Sequence, residues 1–368
     1  MKQQDYHLVH EGATDCLIPK QDTTQKGPGT KQGPAFYNPA MEMNRDCSLV
    51  VTQWFLNQHN KTIHILDGLA ASGIRGVRFG KELEGDFTVF INDGNTACYE
   101  LIQKNIKHNN LSHTIACNKP LHQLLAEQRF DMIDIDPFGS PAIYISAAVQ
   151  NIRHQGLLSC TATDTATLCG VYPKVCQRRY AATPFYGPQM NEIGVRILLG
   201  MICREAAVYD KGIKPILSYA DDHYFRVYVQ IFNGKSAANH SMQQYKRIHP
   251  PEFSSTKNKE CIGPLWIGAL QEKSIIQYLR TAMFDFQLHT KHQLWKLFDQ
   301  LEEEAHAPVF FFSTDDLASK FKTSAPSLET IKTALQKQGY KAIQTHFHPT
   351  GIKTNAPNKI ISQLFTDN

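Results

Sequence analysis

The order of apolar runs along the chain restricts its fold more than any other feature, because strand-like runs alternate with helix-like stretches from Thr62 onward. This alternation predicts an α/β fold with a mostly parallel sheet covered by helices on both faces. The predicted strands are Ile63–Leu66, Thr88–Ile91, Thr114–Cys117, Met132–Ile135, Leu157–Ala162, Pro215–Tyr219 and Tyr224–Phe232. The predicted helices include Ile74–Leu83, Thr96–His108, Ala142–Arg153 and Glu192–Tyr209.

The last two predicted strands are separated by only four residues, Ala220–His223. A link that short has no room for a helical crossover, so this pair is predicted to be antiparallel. A Rossmann-like, mostly parallel sheet that ends in an antiparallel hairpin is typical of class I methyltransferases. Dinucleotide-binding domains normally lack the hairpin, so the pattern favours S-adenosylmethionine over a nicotinamide cofactor.

The sequence changes character after the predicted sheet. Asn233–Gly263 is polar and poorly periodic and is predicted to be a linker or irregular insertion, whereas Ile275–Glu304 has a largely helical pattern. We therefore predict two domains, a catalytic domain over 1–232 and a C-terminal α+β domain over 233–368.

Residues 312–361 are predicted to form a winged-helix-like unit of two helices followed by a β-wing. Ser313 or Thr314 can cap the first helix and Ser327 the second, which Gly339 ends. The wing strands are predicted at Tyr340–His348 and Lys353–Ile361. Such units often bind nucleic acids, although they also serve purely as packing modules.

The net charge of +4 lies entirely in the C-terminal part of the chain. Residues 1–230 hold 22 Lys and Arg against 22 Asp and Glu, whereas residues 231–368 hold 16 against 12. Within 310–360 there are seven lysines, at positions 320, 322, 332, 337, 341, 353 and 359, and three acidic residues. This bias suggests contact with a polyanion, although chance asymmetry of a solvated surface explains the charge alone equally well.

The cysteine positions and the lengths of the apolar runs argue against a disulfide-rich, metal-binding or membrane protein. The nine cysteines are scattered, form no Cys-x-x-Cys pair and mostly sit in apolar runs, so we expect neither disulfides nor a metal site. No run of about 18 apolar residues is present and Met1–Lys20 lacks a signal-like apolar segment, so we expect a cytoplasmic protein with no membrane contact. Asp22–Pro34 is rich in Gly, Thr, Lys and Pro and is predicted to be a mobile loop.

The segment Asp67–Gly73 directly follows the first predicted strand of the sheet, where α/β folds bind ligands. Gly68 and Gly73 let the backbone approach a ligand closely, and the helix that follows offers free N–H groups. An acidic first residue would repel a pyrophosphate but suits the ammonium group of S-adenosylmethionine. An ordinary strand-turn-helix link explains the segment alone equally well.

Asp93 stands at the end of the next predicted strand. A carboxylate at this position can accept hydrogen bonds from both ribose hydroxyls of a nucleoside. The alternative is that Asp93 caps the helix over Asn95–His108.

The segment Asp134–Pro141 (DIDPFGSP) follows the fourth strand and is the most informative one. Its prolines and glycine predict a rigid, non-helical loop. An exocyclic amino group on a base is a poor nucleophile, and the Asp136 carboxylate with backbone carbonyls near Pro137 can accept hydrogen bonds from it. Phe138 can stack on an extruded base. A tight turn with a buried Phe138 is the alternative.

Matching segments run in order through most of the chain and include FYNP, NRD and DPFGSP. They are Glu11–Gly12, Phe36–Pro39 with Met41, Asn44–Asp46, Leu66–Arg78, Asp134–Pro141, Thr161–Asp164, Asn191–Arg196, His223–Val227, Gly263–Trp266 and Thr345–Phe347. Through them the chain resembles the tRNA guanine-26 N2-dimethyltransferases. The combination of FYNP, NRD and DPFGSP is specific to that family.

The resemblance implies that Arg45, Arg75 and Asp93 hold S-adenosylmethionine, with Arg45 or Arg75 pairing with its carboxylate. It also implies that Asp136 accepts the proton, and that Phe36 and Phe138 sandwich the guanine. Hydrophobic anchoring is the alternative for Phe36, and surface salt bridges are the alternative for the arginines. The matching residues Glu192, Arg196, His223 and Arg226 receive no role and fit core ion pairs.

The sequence departs from the family pattern at two places. An Asp-Ala pair usually contacts the adenine after the third strand, and Lys119-Pro120 stands there instead, so backbone groups are the alternative. Many members carry two Cys-x-x-Cys pairs before the GPLW segment, but only Cys261 is present here, so no zinc site is predicted.

The resemblance implies transfer of one or two methyl groups from S-adenosylmethionine to N2 of a guanine in tRNA, at position 26. Lys320, Lys322, Lys332 and Lys337 are the candidate contacts to the tRNA backbone, and we expect a monomer. Three alternatives are an amino-methyltransferase for another nucleic acid or a small molecule, an NAD-dependent oxidoreductase and a non-catalytic RNA-binding module.

Overall fold

The computed structural model describes residues 6–20, 36–249 and 261–366. Its strands are β1 (Tyr6–Glu11), β2 (Thr14–Pro19), β3 (Ile63–Asp67), β4 (Phe87–Asn92), β5 (Thr114–Cys117), β6 (Phe130–Ile135), β7 (Ile152–Ala162), β8 (Lys211–Asp221), β9 (Tyr224–Asn233), β10 (Tyr245–Ile248), β11 (Ile262–Trp266), β12 (Phe312–Ser313), β13 (Ile343–Gln344) and β14 (Gly351–Lys353). The predicted loop Asp22–Pro34 lies outside the described residues.

The helices alternate with these strands through the first two thirds of the chain. They are α1 (Glu42–Leu56), α2 (Ile74–Glu82), α3 (Thr96–His108), α4 (Leu121–Glu127), α5 (Ala142–Asn151), α6 (Thr165–Leu168), α7 (Pro173–Tyr180), α8 (Met190–Val208), α9 (Lys235–Met242), α10 (Lys273–Ala282), α11 (Lys291–Glu304), α12 (Thr314–Phe321), α13 (Leu328–Lys337) and α14 (Asn358–Thr366).

Seven strands form the central sheet in the order β5-β4-β3-β6-β7-β9-β8. The first five are mutually parallel, and β9 is antiparallel to both β7 and β8. Asp221 lies opposite Tyr224 across the β8–β9 turn, so the predicted terminal hairpin is confirmed. The mostly parallel α/β sheet predicted from the alternation of strands and helices is confirmed as well.

Helices cover both faces of the sheet and bury its apolar side chains. One face packs against α1, α2 and α3, together with α10 and α11, which contribute residues such as Leu279 and Phe298. The other face packs against α4, α5 and α8. The predicted domain boundary at residue 232 stays a prediction, and α10 and α11 share an apolar cluster with the helices that precede it.

The prediction of an irregular segment over Asn233–Gly263 was wrong for its first part. This segment contains α9 and β10, and β10 pairs with β11 in an antiparallel ribbon. Helix α9 is held by a buried hydroxyl, because the backbone N–H of Ile213 donates to Oγ of Ser241 at 2.9 Å. Polar and tertiary contacts of this kind leave no apolar periodicity in the sequence.

The C-terminal region folds around its own small core. Strands β12, β14 and β13 form a three-stranded antiparallel sheet in that order. Helices α12, α13 and α14 pack against this sheet through an apolar cluster that includes Leu317, Leu335 and Ile352.

Both predicted helix caps of this region are present, whereas its second wing strand is not. Ser313 accepts a hydrogen bond from the N–H of Asp316, and Ser327 accepts one from the N–H of Thr330. The prediction of a strand over Lys353–Ile361 was wrong, because β14 ends at Lys353 and α14 begins at Asn358. The four-residue spacing of Ile361 and Phe365 lets α14 bury both against the C-terminal core.

The cysteines, the metal-ligating side chains and the hydropathy of the helices can be described for the residues that the structure covers. All nine cysteines are free thiols, and only Cys261 among them is exposed. Within the described ranges no group of three or more metal-ligating side chains is found. None of the described helices has the length and hydropathy to cross a bilayer.

Candidate active site

A cavity of about 640 Å³ opens at the carboxyl edge of the central sheet. Its volume is within the usual range of about 300–1,000 Å³ for small-molecule sites. The loops after β3, β4, β6 and β7, the β8–β9 turn and the segment 36–45 enclose it. Its lining includes Phe36, Tyr37, Arg45, Asp67, Ala71, Arg75, Asp93, Asp136, Pro137, Phe138, Tyr144, Thr163 and His223.

Asp67 ends β3 and lies at the base of this cavity with only 2% of its surface exposed. Its Oδ2 accepts a hydrogen bond from the N–H of Gly76, in the first turns of α2, at 3.0 Å. Burial raises the pKa of Asp67 to about 7, against the opposing effect of Arg75. A buried carboxylate with few partners suits a cationic ligand.

The glycines of the Asp67 segment act through their backbone geometry. Gly73 caps α2 with φ +80°, which favours glycine, and a Cβ there would lie 2.8 Å from Ile102. Gly68 donates its N–H to the carbonyl of Asp134 at 3.0 Å and so ties the β3 and β6 ends together. Both glycines shape the loop that forms the cavity wall, while their own atoms lie behind it.

Asp93 follows β4 and faces the same cavity. Its Oδ2 accepts from the N–H of Ala71 at 2.8 Å, and its Oδ1 accepts from the N–H of Asn95 at 2.8 Å. The alternative role as the cap of α3 is wrong, because Asn95 is the capping residue and accepts from the N–H of Ala97. Asp93 therefore holds two loops together at the cavity mouth and stays half-buried.

The Asp136–Pro141 loop is held from behind by the end of β7. The N–H of Gly139, where φ is +79°, donates to Oγ1 of Thr163 at 2.7 Å, and the N–H of Thr163 donates back to the Gly139 carbonyl at 2.9 Å. Ser140 donates to the hydroxyl of Tyr180 at 2.8 Å, and Tyr180 donates to Asp164 at 2.7 Å. These bonds confirm a fixed, non-helical loop.

Asp136 and Arg75 form an ion pair on the cavity wall, where 20% of the Asp136 side chain is exposed. Nη1 of Arg75 also donates to Oγ of Ser48 at 2.5 Å. Behind this pair Arg226 is fully buried against Asp134, and its Nη2 donates to the same Ser48 hydroxyl at 3.1 Å. The pairs of Arg226 and Arg75 hold the pKa of the buried Asp134 carboxyl below its usual range, although burial alone would raise it.

Phe36 and Phe138 contact each other at the cavity mouth. Their ring centroids are 4.6 Å apart and the planes are inclined by 71°, an edge-to-face arrangement. Phe138 is 50% exposed, so the alternative of a tight turn with a buried Phe138 is wrong. Because the rings contact each other directly, a third planar ring fits between them only after one of them moves away.

Arg45 also lines the cavity, but its guanidinium already has an anionic partner. Its Nε and Nη2 donate to the two carboxylate oxygens of the buried Glu11, at 2.8 and 2.5 Å. The hydroxyl of Tyr37 donates to Glu11 at 2.8 Å, and the Arg45 guanidinium lies 5.2 Å from the Tyr37 ring. The surface salt bridge considered for Arg45 and Arg75 is wrong, because both side chains are buried.

Lys119 and Pro120 do not line the cavity among the described residues. The Lys119 side chain pairs with Glu127 on the surface. Both backbone groups of Lys119 are also bonded, since its carbonyl accepts from Nδ2 of Asn92 at 3.1 Å and its N–H donates to Oδ1 of Asn92 at 3.2 Å. The assignment of Lys119 and Pro120 to the adenine, by side chain or by backbone, stays a prediction.

The C-terminal lysines divide into two groups. Lys320, Lys322 and Lys337 are exposed, and Lys332 is half-buried with Glu329 at 3.9 Å. Lys353 is 3% exposed and pairs with the buried Glu192 at 2.8 Å, so it adds nothing to a basic surface.

Tyr144, Thr163 and the β8–β9 turn (221–224) also line the cavity, although none of them was among the predicted site residues. Two signals were present in the matching segments, since Thr163 lies within Thr161–Asp164 and His223 begins His223–Val227. Both follow sheet strands whose ends meet at the carboxyl edge, and that position is the signal that identifies them.

Comparisons with known proteins find one family along almost all of the chain. A family model described as N2,N2-dimethylguanosine tRNA methyltransferase matches residues 12–366. Relatives named tRNA (guanine(26)-N(2))-dimethyltransferase include that of Methanobrevibacter smithii, 34% identical over 99% of this chain and 98% of the relative. The one from Pyrococcus furiosus is 35% identical over 98% of both. A structure of Trm1 from Pyrococcus horikoshii in complex with S-adenosyl-L-methionine superposes with a TM-score of 0.87, at 33% identity over 98% of this chain and 99% of that one.

Proposed function

The chain belongs to the N2,N2-dimethylguanosine tRNA methyltransferase family, and we propose that the cavity at the carboxyl edge of its sheet is where cofactor and guanine meet. The enzyme transfers methyl groups from S-adenosylmethionine to the exocyclic N2 of a guanine in tRNA. We propose position 26 as the target, with one or two transfers per guanine. The Arg75–Asp136 pair on the cavity wall is the observation that carries this assignment of the site.

The residues at the base of the cavity fit S-adenosylmethionine, which supplies an electrophilic methyl group when bound. The buried Asp67 carboxylate offers a negative charge for an ammonium group. Asp93, from the loop after β4, offers oxygens to ribose hydroxyls, and Arg75 offers a guanidinium to a carboxylate. Arg45 completes this wall while remaining paired with Glu11.

The residues at the cavity mouth fit the guanine. Asp136 is positioned by its loop to accept the N2 hydrogens, and its carboxylate takes up the proton that leaves. The carbonyl of Pro137 provides a second acceptor next to it. Phe36 and Phe138 hold the extruded base between them once one ring has moved away from the other.

We propose that residues 1–232 carry this site and that the C-terminal region contacts the tRNA, through Lys320, Lys322, Lys332 and Lys337. Three of these side chains are exposed, as a backbone contact requires. We further propose a cytoplasmic monomer.

The assignment is tested by nucleoside mass spectrometry of bulk tRNA incubated with enzyme and S-adenosylmethionine. The wild-type protein is expected to produce N2-methylguanosine and N2,N2-dimethylguanosine, and the Asp136→Ala variant neither. Retained methylation in that variant contradicts the role of Asp136. Methylation of DNA but not tRNA contradicts the substrate, and thermal stabilisation by NAD rather than S-adenosylmethionine contradicts the cofactor.

A further inference from the structure

The surface around α7, next to the cavity, combines exposed aromatic and basic side chains. Its members, called here the α7 surface, are Tyr172, Lys174, Arg178, Arg179 and Tyr186, all of them exposed. We propose that the α7 surface is a second tRNA-contacting site, which grips the RNA beside the extruded guanine. This proposal rests on the proposed function and adds a contact region distinct from the C-terminal lysines.

The charge of this segment favours a polyanion. Residues 165–191 contain three basic side chains and no acidic one. Arg179 pairs with Asp164, which lies just before the segment, at 3.1 Å. Among the described residues no ion pair involves Lys174 or Arg178, and Nη1 of Arg178 donates only to the Lys174 carbonyl at 3.4 Å. Two cations one helical turn apart therefore remain available to phosphates.

The aromatic side chains favour a nucleic acid over a simple anion. Tyr172 is 57% exposed and Tyr186 is 64% exposed, and Val171 beside Tyr172 is also exposed. A large aromatic ring that stays exposed gives up the free energy that its burial would contribute. Proteins that bind unpaired bases stack them on such rings and hold the phosphate backbone with cations placed between the rings. Extruding a guanine from a helix leaves neighbouring bases with exposed faces that such rings can cover.

The position of α7 links the surface to the reacting base. Tyr180 at the end of α7 accepts the hydrogen bond from Ser140 in the same loop as Phe138, at 2.8 Å. Arg179 pairs with Asp164, the residue next to the cavity-lining Thr163. The α7 surface is therefore one hydrogen bond away from the loop that presents Asp136 and Phe138.

The other end of this segment reaches the C-terminal region. Thr183 and Gly263 exchange two backbone hydrogen bonds of 2.8 Å, and Nε2 of Gln189 donates to the Phe311 carbonyl at 3.0 Å. The segment that carries the α7 surface is therefore bonded at one end to the loop of Phe138 and at the other to residues of the C-terminal part of the chain.

The first test is a pair of double variants compared by their salt dependence of tRNA binding. Lys174→Ala/Arg178→Ala removes the two free cations of the α7 surface. Lys81→Ala/Lys107→Ala is the matched control, because these exposed lysines lie in the last turns of α2 and α3, at the opposite edge of the sheet. Binding is measured by fluorescence anisotropy with unmodified tRNA at 50 to 300 mM salt, and S-adenosylmethionine binding by calorimetry.

For the α7 double variant, the plot of log K for tRNA binding against log[salt] is expected to have a slope shallower than that of wild type by about 1.4–1.8. This difference corresponds to two lost phosphate contacts. The control is expected to keep the wild-type slope, and both variants to keep the wild-type affinity for S-adenosylmethionine. An unchanged slope in the α7 double variant overturns the proposal.

The proposed stacking of bases on Tyr172 and Tyr186 is tested by comparing the Tyr172→Ala and Tyr186→Ala variants with the corresponding Phe variants. Each Ala variant is expected to lower kcat/KM for tRNA about ten-fold through lost stacking, and each Phe variant to retain it. Equal activity of the Ala and Phe variants overturns the stacking role. Failure of the unsubstituted enzyme to methylate tRNA would instead contradict the proposed function, and this outcome is read in the same assay before any variant is compared.

Discussion

Nη2 of Arg75 donates a hydrogen bond to Oδ2 of Asp136 across the wall of the cavity. The family resemblance implies different ligands for these two side chains, namely the carboxylate of the cofactor for Arg45 or Arg75 and the guanine for Asp136. Their direct pairing means that the guanidinium positions the carboxylate and at the same time occupies one of its oxygens. Arg75 is therefore expected to affect both cofactor binding and methyl transfer.

Replacing Arg75 by Met is expected to weaken S-adenosylmethionine binding at least ten-fold and to lower kcat, because a charged hydrogen bond contributes about 1.5–3 kcal/mol. Arg75→Lys should recover part of the affinity, since it keeps the charge but loses the planar fork. Calorimetry with S-adenosylmethionine and steady-state kinetics with tRNA measure the two effects.

Arg153→Met is the matched control for Arg75→Met. Arg153 pairs with Asp131 and does not line the cavity. Its substitution should therefore leave the affinity for the cofactor unchanged. Thermal unfolding of each variant checks that it is folded. An Arg75→Met protein with the wild-type affinity for the cofactor would remove Arg75 from the binding site.

Asp67→Asn is expected to change the pH dependence of stability in a defined direction. Burial raises the pKa of Asp67 to about 7, so ionising it is harder in the folded chain than in the unfolded chain. Its contribution to stability is fully present below about pH 4 and is lost as the pH rises through 7. Compared with wild type, Asp67→Asn should be relatively more stable at pH 8 than at pH 5, as measured by urea unfolding.

Asp131→Asn is the control, because the pKa of Asp131 is shifted in the opposite direction to that of Asp67. Burial alone would raise the pKa of Asp131, but Lys61, the His64 N–H and Arg153 lower it below the usual value. That stabilisation is present above about pH 4 and lost only below it, so the effect of Asp131→Asn should be the same at pH 5 and pH 8. A pH-independent effect of Asp67→Asn would show that Asp67 ionises normally in the folded protein.

The parts of the site that sequence predicts are those fixed by local order along the chain. Asp67 ends one parallel strand and Asp93 and Asp136 follow two others, and the carboxyl ends of such strands meet at one edge. The antiparallel end of the sheet follows from the short link between β8 and β9. Neither inference needs any knowledge of distant contacts.

The parts that sequence does not predict depend on pairings between distant residues. Arg45 is held by Glu11, 34 positions earlier, and Arg226 by Asp134, 92 positions earlier. Nothing in the local pattern of either segment distinguishes a buried ion pair from a ligand contact. The same reason explains why Lys353 was counted with the basic surface, since its partner Glu192 lies 161 positions away.

Lys320→Ala/Lys322→Ala is expected to weaken tRNA binding and to flatten its salt dependence by about 1.4–1.8 in the log–log slope. Both side chains are exposed on and directly after α12. Anisotropy titrations with tRNA at several salt concentrations measure the slope. Lys296→Ala, at an exposed position on α11, is the control, and a slope equal to wild type in the double variant contradicts docking through α12.

Lys353→Met is expected to act on stability rather than on RNA binding. Lys353 and Arg196 hold the buried Glu192 ionised, and they lower its pKa to about 2 although burial alone would raise it. Removing one partner of a buried ion pair typically costs about 3–5 kcal/mol in the free energy of unfolding, and we expect a loss of that size in urea.

The second substitution Glu192→Gln should restore part of this stability, because it removes the carboxylate left without its lysine. The pH dependence has a definite sign, since a depressed pKa stabilises the folded chain above the unfolded value of about 4.3 and this contribution is lost as the pH falls toward 2. Lys353→Met should therefore destabilise the protein fully at pH 7 and less at pH 3. Its tRNA salt slope should equal that of wild type, and a flattened slope would instead place Lys353 on the RNA-binding surface.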